Sequence, residues 1–280
     1  MGFVKAAFPT PNLHPYNSIH FRPLPTREPD RIYRFRMEAA TALIDYVRRL
    51  GFVSMHFAHH PAVEDVRPFL WNGWRIDPAY TFHIPLEGFE SVVGLTHANR
   101  KQHRKCQEAG FQVKTFPCVG THFETFKELL RKTWIRQGLN PVHCGIESSV
   151  PHYVERLDKA GALWYAEART AEGQPVAGRI LVPAADGTVY DWLAGTNPEF
   201  LRSGVSVFLI AETLFEAKRR SYRLFDFGGA NTPGIADFKQ GFNGKLVCGF
   251  ETRWESPSLI HRGRRWAGRR WHRLRRAMGR

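Results

Sequence analysis

The sequence predicts an α/β protein in which helices flank a mixed β-sheet, and three observations support this fold class. Apolar residues recur at helical spacing in several segments, such as residues 30–50 and 206–220. Short runs rich in β-branched and aromatic residues alternate with these helices. Three such runs follow one another between residues 163 and 194, and the turn Asp186-Gly187 between two of them is typical of a hairpin.

Size and composition are those of a folded protein. The chain has 280 residues, of which 43% are hydrophobic and 13% aromatic, so it can bury one large core or two modest ones. It contains no run of about 18 apolar residues that would cross a bilayer. The N-terminus lacks the apolar run and cleavage site of a signal peptide. We therefore expect a cytoplasmic protein.

In the first half of the chain the predicted elements alternate between helix and strand. A proline-rich extended arm occupies residues 1–25, and Asp30 is predicted to cap a helix that ends before Gly51. The further elements predicted for this half are a strand at 52–58, a helix at 62–72, strands within 74–86, a helix at 88–109 broken near Gly94, and a strand at 110–116. We interpret residues 26–117 as a first α/β lobe.

The second half repeats this alternation more clearly. The elements predicted here are helices at 122–137 and 150–160, the three-stranded meander, a helix at 206–220 and a strand at 224–227. We interpret residues 118–255 as a second α/β lobe. Two similar lobes that share an extended sheet account for the whole order of elements.

Positive charge is concentrated at the C-terminus. The formal net charge is +14 at pH 7, and residues 259–280 contain nine arginines and no acidic residue. One helical stripe of this segment is apolar and consists of Ala267, Trp271, Leu274 and Met278. Residues 256–280 are therefore predicted to form a basic amphipathic helix that binds an anionic membrane or an RNA backbone. The alternative is a solvated tail, against which the tryptophans argue.

The sequence signals neither a metal site nor a disulfide framework. The four cysteines are widely spaced, and none of the thirteen histidines stands at a helical spacing with a carboxylate that would suggest a zinc-peptidase motif. We expect no metal and no tightly bound cofactor.

Residues 225–244 are the segment most indicative of a functional site. A short aromatic strand leads into a glycine-rich turn and then to Lys239. Glycines allow a ligand to approach the backbone closely or the backbone to turn with positive φ. The aromatic neighbours Phe238 and Phe242 would hold the stem of Lys239. The segment therefore predicts a binding surface with a fixed positive charge, and the alternative is a surface lysine that contacts only solvent.

Five pieces of sequence between about residues 74 and 250 resemble the FemAB-like branch of the GNAT acyltransferase superfamily, which includes peptidoglycan-bridge aminoacyltransferases and BioF2-like acetyltransferases. The pieces are Asn99-Arg-Lys-Gln-His-Arg-Lys-Cys-Gln-Glu-Ala-Gly-Phe-Gln-Val, Thr133-Trp-Ile-Arg-Gln-Gly, Gln174-Pro-Val-Ala-Gly-Arg-Ile, Ala194-Gly-Thr-Asn-Pro-Glu-Phe-Leu-Arg-Ser-Gly-Val-Ser, and Phe225-Asp-Phe-Gly-Gly with Asp237-Phe-Lys-Gln-Gly-Phe-Asn-Gly. The resemblance implies two GNAT-like lobes, of which the first (26–117) is degenerate and the second (118–255) carries the active site.

The resemblance implies transfer of an acyl or aminoacyl group from an activated donor to an amine. Lys239 matches the family's Phe-Lys position, where a protonated lysine stabilises the oxyanion that forms on the attacked carbonyl. Asp226 is assigned to orienting the acceptor amine or accepting its proton. A carboxylate that only caps the amides of Gly228 or Gly229 is the alternative for Asp226.

The donor is expected at the start of the helix predicted over 206–220, where Arg202, Gly204 and Ser206 form an anion-facing helix start. Typical GNAT enzymes carry Gln/Arg-x-x-Gly-x-Gly/Ala here and bind the pyrophosphate of coenzyme A. This chain has Leu201 and Ser206 at the first and last of these positions. The departure weakens the assignment of coenzyme A and leaves aminoacyl-tRNA and acyl-CoA open as co-substrates.

The residues assigned to the acceptor are Arg100, Arg104, Tyr190, Trp192, Gly228, Gly229 and Asn231. The two arginines would contact phosphates of a nucleotide-linked or lipid-linked acceptor or of tRNA, and a solvated helix face is their alternative. Tyr190 and Trp192 share a strand face and would wall the cleft. The expected acceptor is an amine of a cell-envelope precursor or a small peptide. The competing function is a non-enzymatic RNA- or membrane-surface-binding protein on a GNAT-like scaffold.

Overall fold

The computed structural model describes residues 6–7, 16–22, 24–87, 89 and 91–256. The described residues form two compact units, one with residues 6–7, 16–78 and 249–256 and the other with residues 79–248. Most of the predicted N-terminal arm, and the basic helix predicted for the C-terminal tail, lie outside the described residues. The lobe boundaries derived from the sequence stay a prediction.

Helices and strands alternate along the chain, which confirms the α/β class. The helices are α1 Pro29–Arg49, α2 Arg67–Trp71, α3 His97–Glu108, α4 Gly120–Arg136, α5 Ser149–Lys159, α6 Val205–Arg219 and α7 Pro233–Gln240, with 3-10 turns at Val92–Gly94 and Pro198–Ser203. The strands are β1 Ala6–Ala7, β2 Ser54–Ala58, β3 Arg75–Pro85, β4 Gln112–Phe116, β5 Trp164–Arg169, β6 Pro175–Pro183, β7 Thr188–Thr196, β8 Leu224–Gly229 and β9 Lys245–Glu255. No helix among the described residues is long and apolar enough to cross a bilayer.

Three helix starts differ from the prediction. Asp30 does not cap α1, which begins at Pro29, before Asp30, because proline suits the first turn of a helix. The helix predicted at 62–72 is confined to Arg67–Trp71, and a proline again occupies its first turn. The helix predicted at 88–109 is split because Ser91 and Thr96 each cap a separate start, Ser91 through the amide of Val93.

Among the elements around the site, helix α7 and strand β9 are not predicted by the sequence patterns. Glycines at 228, 229, 234, 241 and 244 predicted a turn, yet residues 233–240 are helical. The carbonyl of Gly241, just beyond α7, accepts hydrogen bonds from Thr96 N at 3.2 Å, Thr96 Oγ1 at 3.0 Å and Asn99 Nδ2 at 2.8 Å. These tertiary bonds to the start of α3 stabilise a short helix that local propensity disfavours.

In the first unit, β2 pairs in parallel with β1 and antiparallel with residues 251–255 of β9. Its apolar cluster includes Ile44, Met55 and Phe69. The buried His59 ring lies between Ser18 Oγ and Thr252 Oγ1, at 2.6 and 2.9 Å. Burial lowers the pKa of His59 to about 4, with a smaller contribution from His56, so this histidine is neutral at pH 7 and structural.

The second unit is built on a sheet with the strand order β3-β8-β7-β6-β5-β4. Neighbouring strands are antiparallel except for β7 and β8, which are parallel, so the predicted mixed sheet is confirmed. One face, here called the α6 face, packs side chains such as Val189, Phe225 and Phe227 against α6. The opposite α4 face packs Tyr165 and Ile180 against α4 and α5.

A β-bulge changes the direction of the side chains along β7. Leu181 pairs with Asp191 and Ile180 pairs with Leu193, so Trp192 is an extra residue in the ladder. Val189 therefore packs on the α6 face and Leu193 on the α4 face, although an even number of residues separates them. The bulge lies close to the end of the parallel pairing with β8.

Candidate active site

The candidate site lies where the parallel pair β7–β8 ends. The register places Thr188–Tyr190 opposite Leu224–Asp226, whereas β7 continues to Thr196. Beyond the bulge the two strands follow different partners. In sheets with parallel strands, a crevice at the carboxyl ends of such strands is a common place for ligands.

Helix α7 places Lys239 at the end of β8. The ammonium group donates hydrogen bonds to the carbonyl oxygens of Phe227 at 2.6 Å, Gly228 at 3.2 Å and Gly229 at 2.8 Å. It also lies 5.5 Å from the centroid of the Phe227 ring. An ammonium has three protons, and each has a carbonyl acceptor here. Lys239 is therefore a fixed charge and not a lysine that contacts only solvent.

Aromatic side chains pack around the segment that carries Lys239, though not as the sequence suggested. Phe242 is fully buried and lies 5.3 Å from Phe227 and 5.6 Å from Phe238, measured between ring centroids. The ring that lies below the ammonium is Phe227, on β8. The aromatics thus anchor α7 to the sheet.

Burial lowers the pKa of Lys239 to about 8, although the nearby carboxylates of Asp191 and Asp226 act in the opposite direction. The nearby charges include Arg179 on β6 and Asp191 on β7, which form an ion pair whose side chains are almost fully buried. Asp191 Oδ1 has no hydrogen-bond partner among the described residues. At pH 7 Lys239 remains mainly protonated, so two cations, Lys239 and Arg179, and two carboxylates, Asp191 and Asp226, interact in this region.

Asp226, next to this group, is completely buried and already bonded. Oδ1 accepts hydrogen bonds from Thr81 Oγ1 at 2.6 Å and Gly228 N at 2.8 Å, and Oδ2 lies 3.2 Å from His83 Nε2. Burial by itself raises the pKa of Asp226, but the hydrogen bonds from His83, Thr81 and Gly228 outweigh it and lower the pKa below its ordinary value. Asp226 thus caps the amide of Gly228, which is the alternative role that the sequence analysis gave for this carboxylate.

Thr81 and His83 are site residues that the sequence did not single out. The run Tyr80-Thr-Phe-His-Ile on β3 alternates, and this alternation could have placed Thr81 and His83 on one face. What the sequence does not show is that His83 pairs with Asp226 across the sheet. Pairing between β3 and β8 brings together residues more than 140 positions apart.

Gly228 connects Lys239 to Asp226. Its carbonyl oxygen accepts from Lys239 Nζ and lies 2.8 Å from Thr81 Oγ1, while its amide donates to Asp226. Thr81 has one hydroxyl proton, which the carbonyl of Gly228 and the carboxylate of Asp226 share. Gly228 has φ of +65°, a conformation that strains other residues. A continuous hydrogen-bond network therefore joins the lysine and the carboxylate.

The three residues assigned to the donor lie together at the start of α6. Gly204 has φ of +89° and precedes the helix, and a Cβ at this position would lie 3.0 Å from Cβ of Gln102 on α3. Ser206 Oγ is 3.2 Å from Thr196 Oγ1, which places the helix start beside the carboxyl end of β7. Arg202 is exposed. The Val205 amide already donates to Ser203 Oγ at 3.2 Å, and the assignment of these three residues to an anionic donor stays a prediction.

The structure brings together only some of the residues assigned to the acceptor. Tyr190 lies opposite Asp226 in the pairing of β7 with β8. Burial raises the pKa of Tyr190 to about 12, and the charges of Asp186 and Asp226 contribute to this shift. Asn231 Oδ1 accepts from Tyr80 N at 2.7 Å beside the turn that follows β8. Trp192 packs against the apolar cluster of the α4 face. Gly229 is exposed at the strand end.

The two arginines of α3 stand apart from this group. Arg100 donates to the carbonyl of Val93 at 3.4 Å, and Arg104 is exposed and 3.6 Å from Glu108. No contact within the described residues links either arginine to Lys239. Their assignment to a phosphate-bearing acceptor stays a prediction.

Metal chemistry has no evident location in the described part of the chain. Within residues 16–22, 24–87, 89 and 91–256, no group of three or more histidine, cysteine, aspartate or glutamate side chains is arranged to hold a metal ion.

Comparison with known proteins adds a family and several similar folds. Residues 97–240 match the family model described as an acetyltransferase (GNAT) domain. The crystal structure of FemX is similar over 81% of this chain and 79% of its own, with a TM-score of 0.58 and 12% identity. No curated protein matches the chain in sequence.

Two further similar structures are a domain named for a lysylphosphatidylglycerol synthetase and a protein named L-PGS. A C-terminal domain from Agrobacterium fabrum assigned to such an enzyme has a TM-score of 0.57 and 14% identity, covering 78% of this chain and 72% of its own. L-PGS from Bacillus licheniformis has a TM-score of 0.52 and 14% identity, covering 75% of this chain and 70% of its own. At these identities the likeness concerns the fold.

Proposed function

This chain belongs to the acetyltransferase (GNAT) domain family, whose model matches just over half of it, and we propose that it transfers an acyl or aminoacyl group to an amine of a cell-envelope precursor or a small peptide. The family and the fold make it an acyltransferase of the GNAT superfamily. The donor, the acceptor and the residues that act are the proposal.

The observation that carries the proposal is the half-buried ammonium of Lys239, held by three carbonyl groups at the end of β8. Attack of an amine on an acyl carbonyl develops negative charge on the carbonyl oxygen, and a fixed cation in a water-poor site stabilises that charge. In the structure the three protons of Lys239 are donated to carbonyls, so the oxyanion replaces one of them. The bond to Gly228 O is the longest, at 3.2 Å, and that oxygen keeps Thr81 as a donor.

The proposed reaction has two bond changes. The amine nitrogen forms a bond to the acyl carbon while the carbonyl π electrons move to oxygen, where Lys239 meets the charge. The intermediate then collapses, and the bond from the acyl carbon to the thiol of coenzyme A or to the ribose oxygen of tRNA breaks. The leaving group takes a proton, and the product is an amide.

The length of β7 beyond the bulge supports a donor with a long carrier arm. Residues 191–196 of β7 cover about 16 Å as an extended strand. An anionic group held at Gly204 and an acyl group held beside Lys239 therefore require a long carrier arm. Acyl-CoA and aminoacyl-tRNA both fit this requirement. Similarity to folds named for lysylphosphatidylglycerol synthesis supports an aminoacyl cargo.

The direct test is a pair of transfer assays on the full chain, one with acetyl-CoA and one with a mixture of aminoacyl-tRNAs. Each assay contains the same amine acceptors: a peptidoglycan stem peptide, phosphatidylethanolamine vesicles, ethanolamine and hydroxylamine. We expect mass spectrometry to show an acylated amine with one donor class. Absence of any acylated product with both donors would contradict the proposed function.

The Arg-rich tail is proposed to hold the protein on an anionic surface, at the inner membrane or on RNA. Each arginine near an anionic membrane contributes about 1 kcal/mol, and salt screens this attraction. Deletion of residues 259–280 is expected to abolish retention on phosphatidylglycerol vesicles or on tRNA at low salt, while turnover with a soluble acceptor is unchanged.

A matched variant separates charge from bulk in this experiment. A variant with four substitutions, Arg269→Gln, Arg270→Gln, Arg275→Gln and Arg276→Gln, removes four positive charges but keeps Trp266 and Trp271. This variant should weaken retention on the anionic surface, and the effect should be largest at low salt. Retention that survives deletion of the tail would refute its role. Tail-dependent retention without any transfer activity would favour the alternative, a non-enzymatic surface-binding protein.

A further inference from the structure

His83 on β3 is an ionisable side chain that the proposed function does not yet use. Its Nε2 lies 3.2 Å from Oδ2 of Asp226, and its side chain is 16% exposed. Nδ1 has no hydrogen-bond partner among the described residues. One ring nitrogen of His83 is thus held by a buried carboxylate, and the other is open.

The chemistry of the pair fixes the tautomer of His83. Asp226 is ionised, because three hydrogen bonds hold its pKa below the ordinary value, and an ionised carboxylate only accepts hydrogen bonds. Nε2 of His83 therefore carries the proton that points to Asp226. In the neutral imidazole the lone pair is then on Nδ1, the open nitrogen.

The pair lies on the face of the sheet opposite to the donor loop. Phe82 and Ile84 pack on the α6 face, so His83 between them points to the α4 face. Asp226 and Tyr190 share that face, since they pair with each other and Asp226 pairs with His83. An acceptor that meets His83 therefore approaches from the side opposite to α6.

We propose that His83 is the general base that removes the proton from the acceptor amine, and that Asp226 is a positioning residue that holds its ring. The proposal rests on the proposed function, acyl transfer to an amine. It implies a primary amine that reaches the end of β8 from the α4 face. Lys239 and Asp226 belong to one hydrogen-bond network through Gly228 and Thr81, so the residue that holds the base is connected to the residue that meets the oxyanion.

The proton balance of the step is complete. Nδ1 of His83 takes one proton from the ammonium form of the acceptor and becomes part of an imidazolium that Asp226 stabilises. The neutral amine nitrogen then forms its bond to the acyl carbon while the carbonyl π electrons move to oxygen, and these electrons return when the bond to the carrier breaks. The carrier sulfur or oxygen takes the second proton from the amine nitrogen, and His83 releases its proton to solvent before the next turnover.

Other groups near the site are less suited to be the base. Asp226 is completely buried and accepts bonds from three donors. Lys239 uses all three of its protons on carbonyls, and a deprotonated lysine would lose one of these bonds. Tyr190 has a pKa raised to about 12 and is a neutral phenol at pH 7.

The first test does not depend on activity. In the uniformly ¹⁵N-labelled protein, the imidazole signals of His83 are assigned by their loss in His83→Gln. We expect the Nε2–H tautomer in the wild type and a mixture of tautomers in Asp226→Asn. An Nδ1–H tautomer in the wild type would contradict the role of His83, whatever the turnover.

The second test compares two amines of different basicity with the donor that the wild type uses. Ethanolamine is protonated at pH 7 and needs a base, whereas hydroxylamine is neutral. His83→Gln is expected to lower transfer to ethanolamine by about 10² to 10³ and to leave transfer to hydroxylamine unchanged. His143→Gln, which alters an exposed histidine, is the matched control.

The possible outcomes distinguish the role of His83 as a base from the acyl-transfer activity itself. An equal loss with both amines in His83→Gln, or no loss with either, would overturn the base role while the acyltransferase stands. No transfer to any amine by the wild type would contradict the proposed function, and the base role with it.

Discussion

Lys239→Met is expected to lower acyl transfer by a factor of about 10² to 10³, the usual cost of removing one oxyanion-stabilising group. Methionine keeps the length of the side chain and its contact with the Phe227 ring but carries no charge and no donor. The carbonyls of Phe227 and Gly229 lose a partner, whereas Gly228 O retains Thr81. The loss should therefore appear in turnover, measured with the donor that the wild type uses.

A second lysine provides the control. Lys245, at the start of β9, is exposed, and Lys245→Met changes the net charge by the same amount. Its turnover should equal that of the wild type. Urea unfolding of both variants checks that the chains are folded. Wild-type turnover in Lys239→Met would remove Lys239 from the proposed mechanism.

The pH dependence of turnover and of the free energy of unfolding tests the role of Lys239 in a second way. Burial lowers the pKa of Lys239 from 10.5 to about 8, so its charge, and the turnover that depends on it, should decline as pH rises through about 8. Between pH 8 and 10.5 the unfolded chain binds this proton and the folded chain does not. The contribution of Lys239 to the free energy of unfolding therefore rises with pH in this interval. Lys239→Met should lack this rise.

The sequence predicts the strands and the helix around the site well because these elements depend on local patterns. The meander β5–β6–β7 follows from period-two alternation and two glycine turns, and α6 follows from an apolar stripe bounded by Gly204. Lys239 and Asp226 are close in sequence, so one short segment signals both. The structure places both at the end of β8.

The remaining parts of the site depend on contacts between distant segments. Helix α7 exists where three donors from Thr96 and Asn99 hold the carbonyl of Gly241. His83 meets Asp226 only because β3 and β8 pair. The bulge at Trp192 reverses the face of Leu193, and simple alternation along β7 gives no sign of it. Each of these features depends on tertiary contacts that no local pattern contains.

Gly195→Ala is expected to cost about 3 kcal/mol of the free energy of unfolding, the upper part of the range for overpacking. A Cβ at Gly195 would lie 2.5 Å from the backbone carbon of Leu129 and the backbone nitrogen of Leu130 on α4. Backbone inside a helix cannot move aside alone, so α4 as a whole would have to shift away from β7. That shift loosens the contacts of Phe126, which is completely buried on the α4 face.

Gly234→Ala is the matched control for this stability effect. Gly234 lies in α7, and its φ is not positive. No described atom lies within 4 Å of the position that a Cβ would take there, so alanine should be neutral or stabilising by up to about 1 kcal/mol. Urea unfolding compares both variants with the wild type. An unchanged free energy of unfolding in Gly195→Ala would mean that α4 does not press on β7 at this position.

The same substitution also tests how the donor loop is held. Thr196, next to Gly195, exchanges hydrogen bonds with Thr133 of α4 at 2.9 and 3.3 Å, and its hydroxyl lies 3.2 Å from Ser206 at the start of α6. If α4 moves, this connection moves with it, and the anion site proposed at Gly204 is displaced while Lys239 is not. The Gly195→Ala protein that remains folded should therefore show a raised KM for the donor and a nearly unchanged kcat, because ground-state binding is lost and the oxyanion contact is kept.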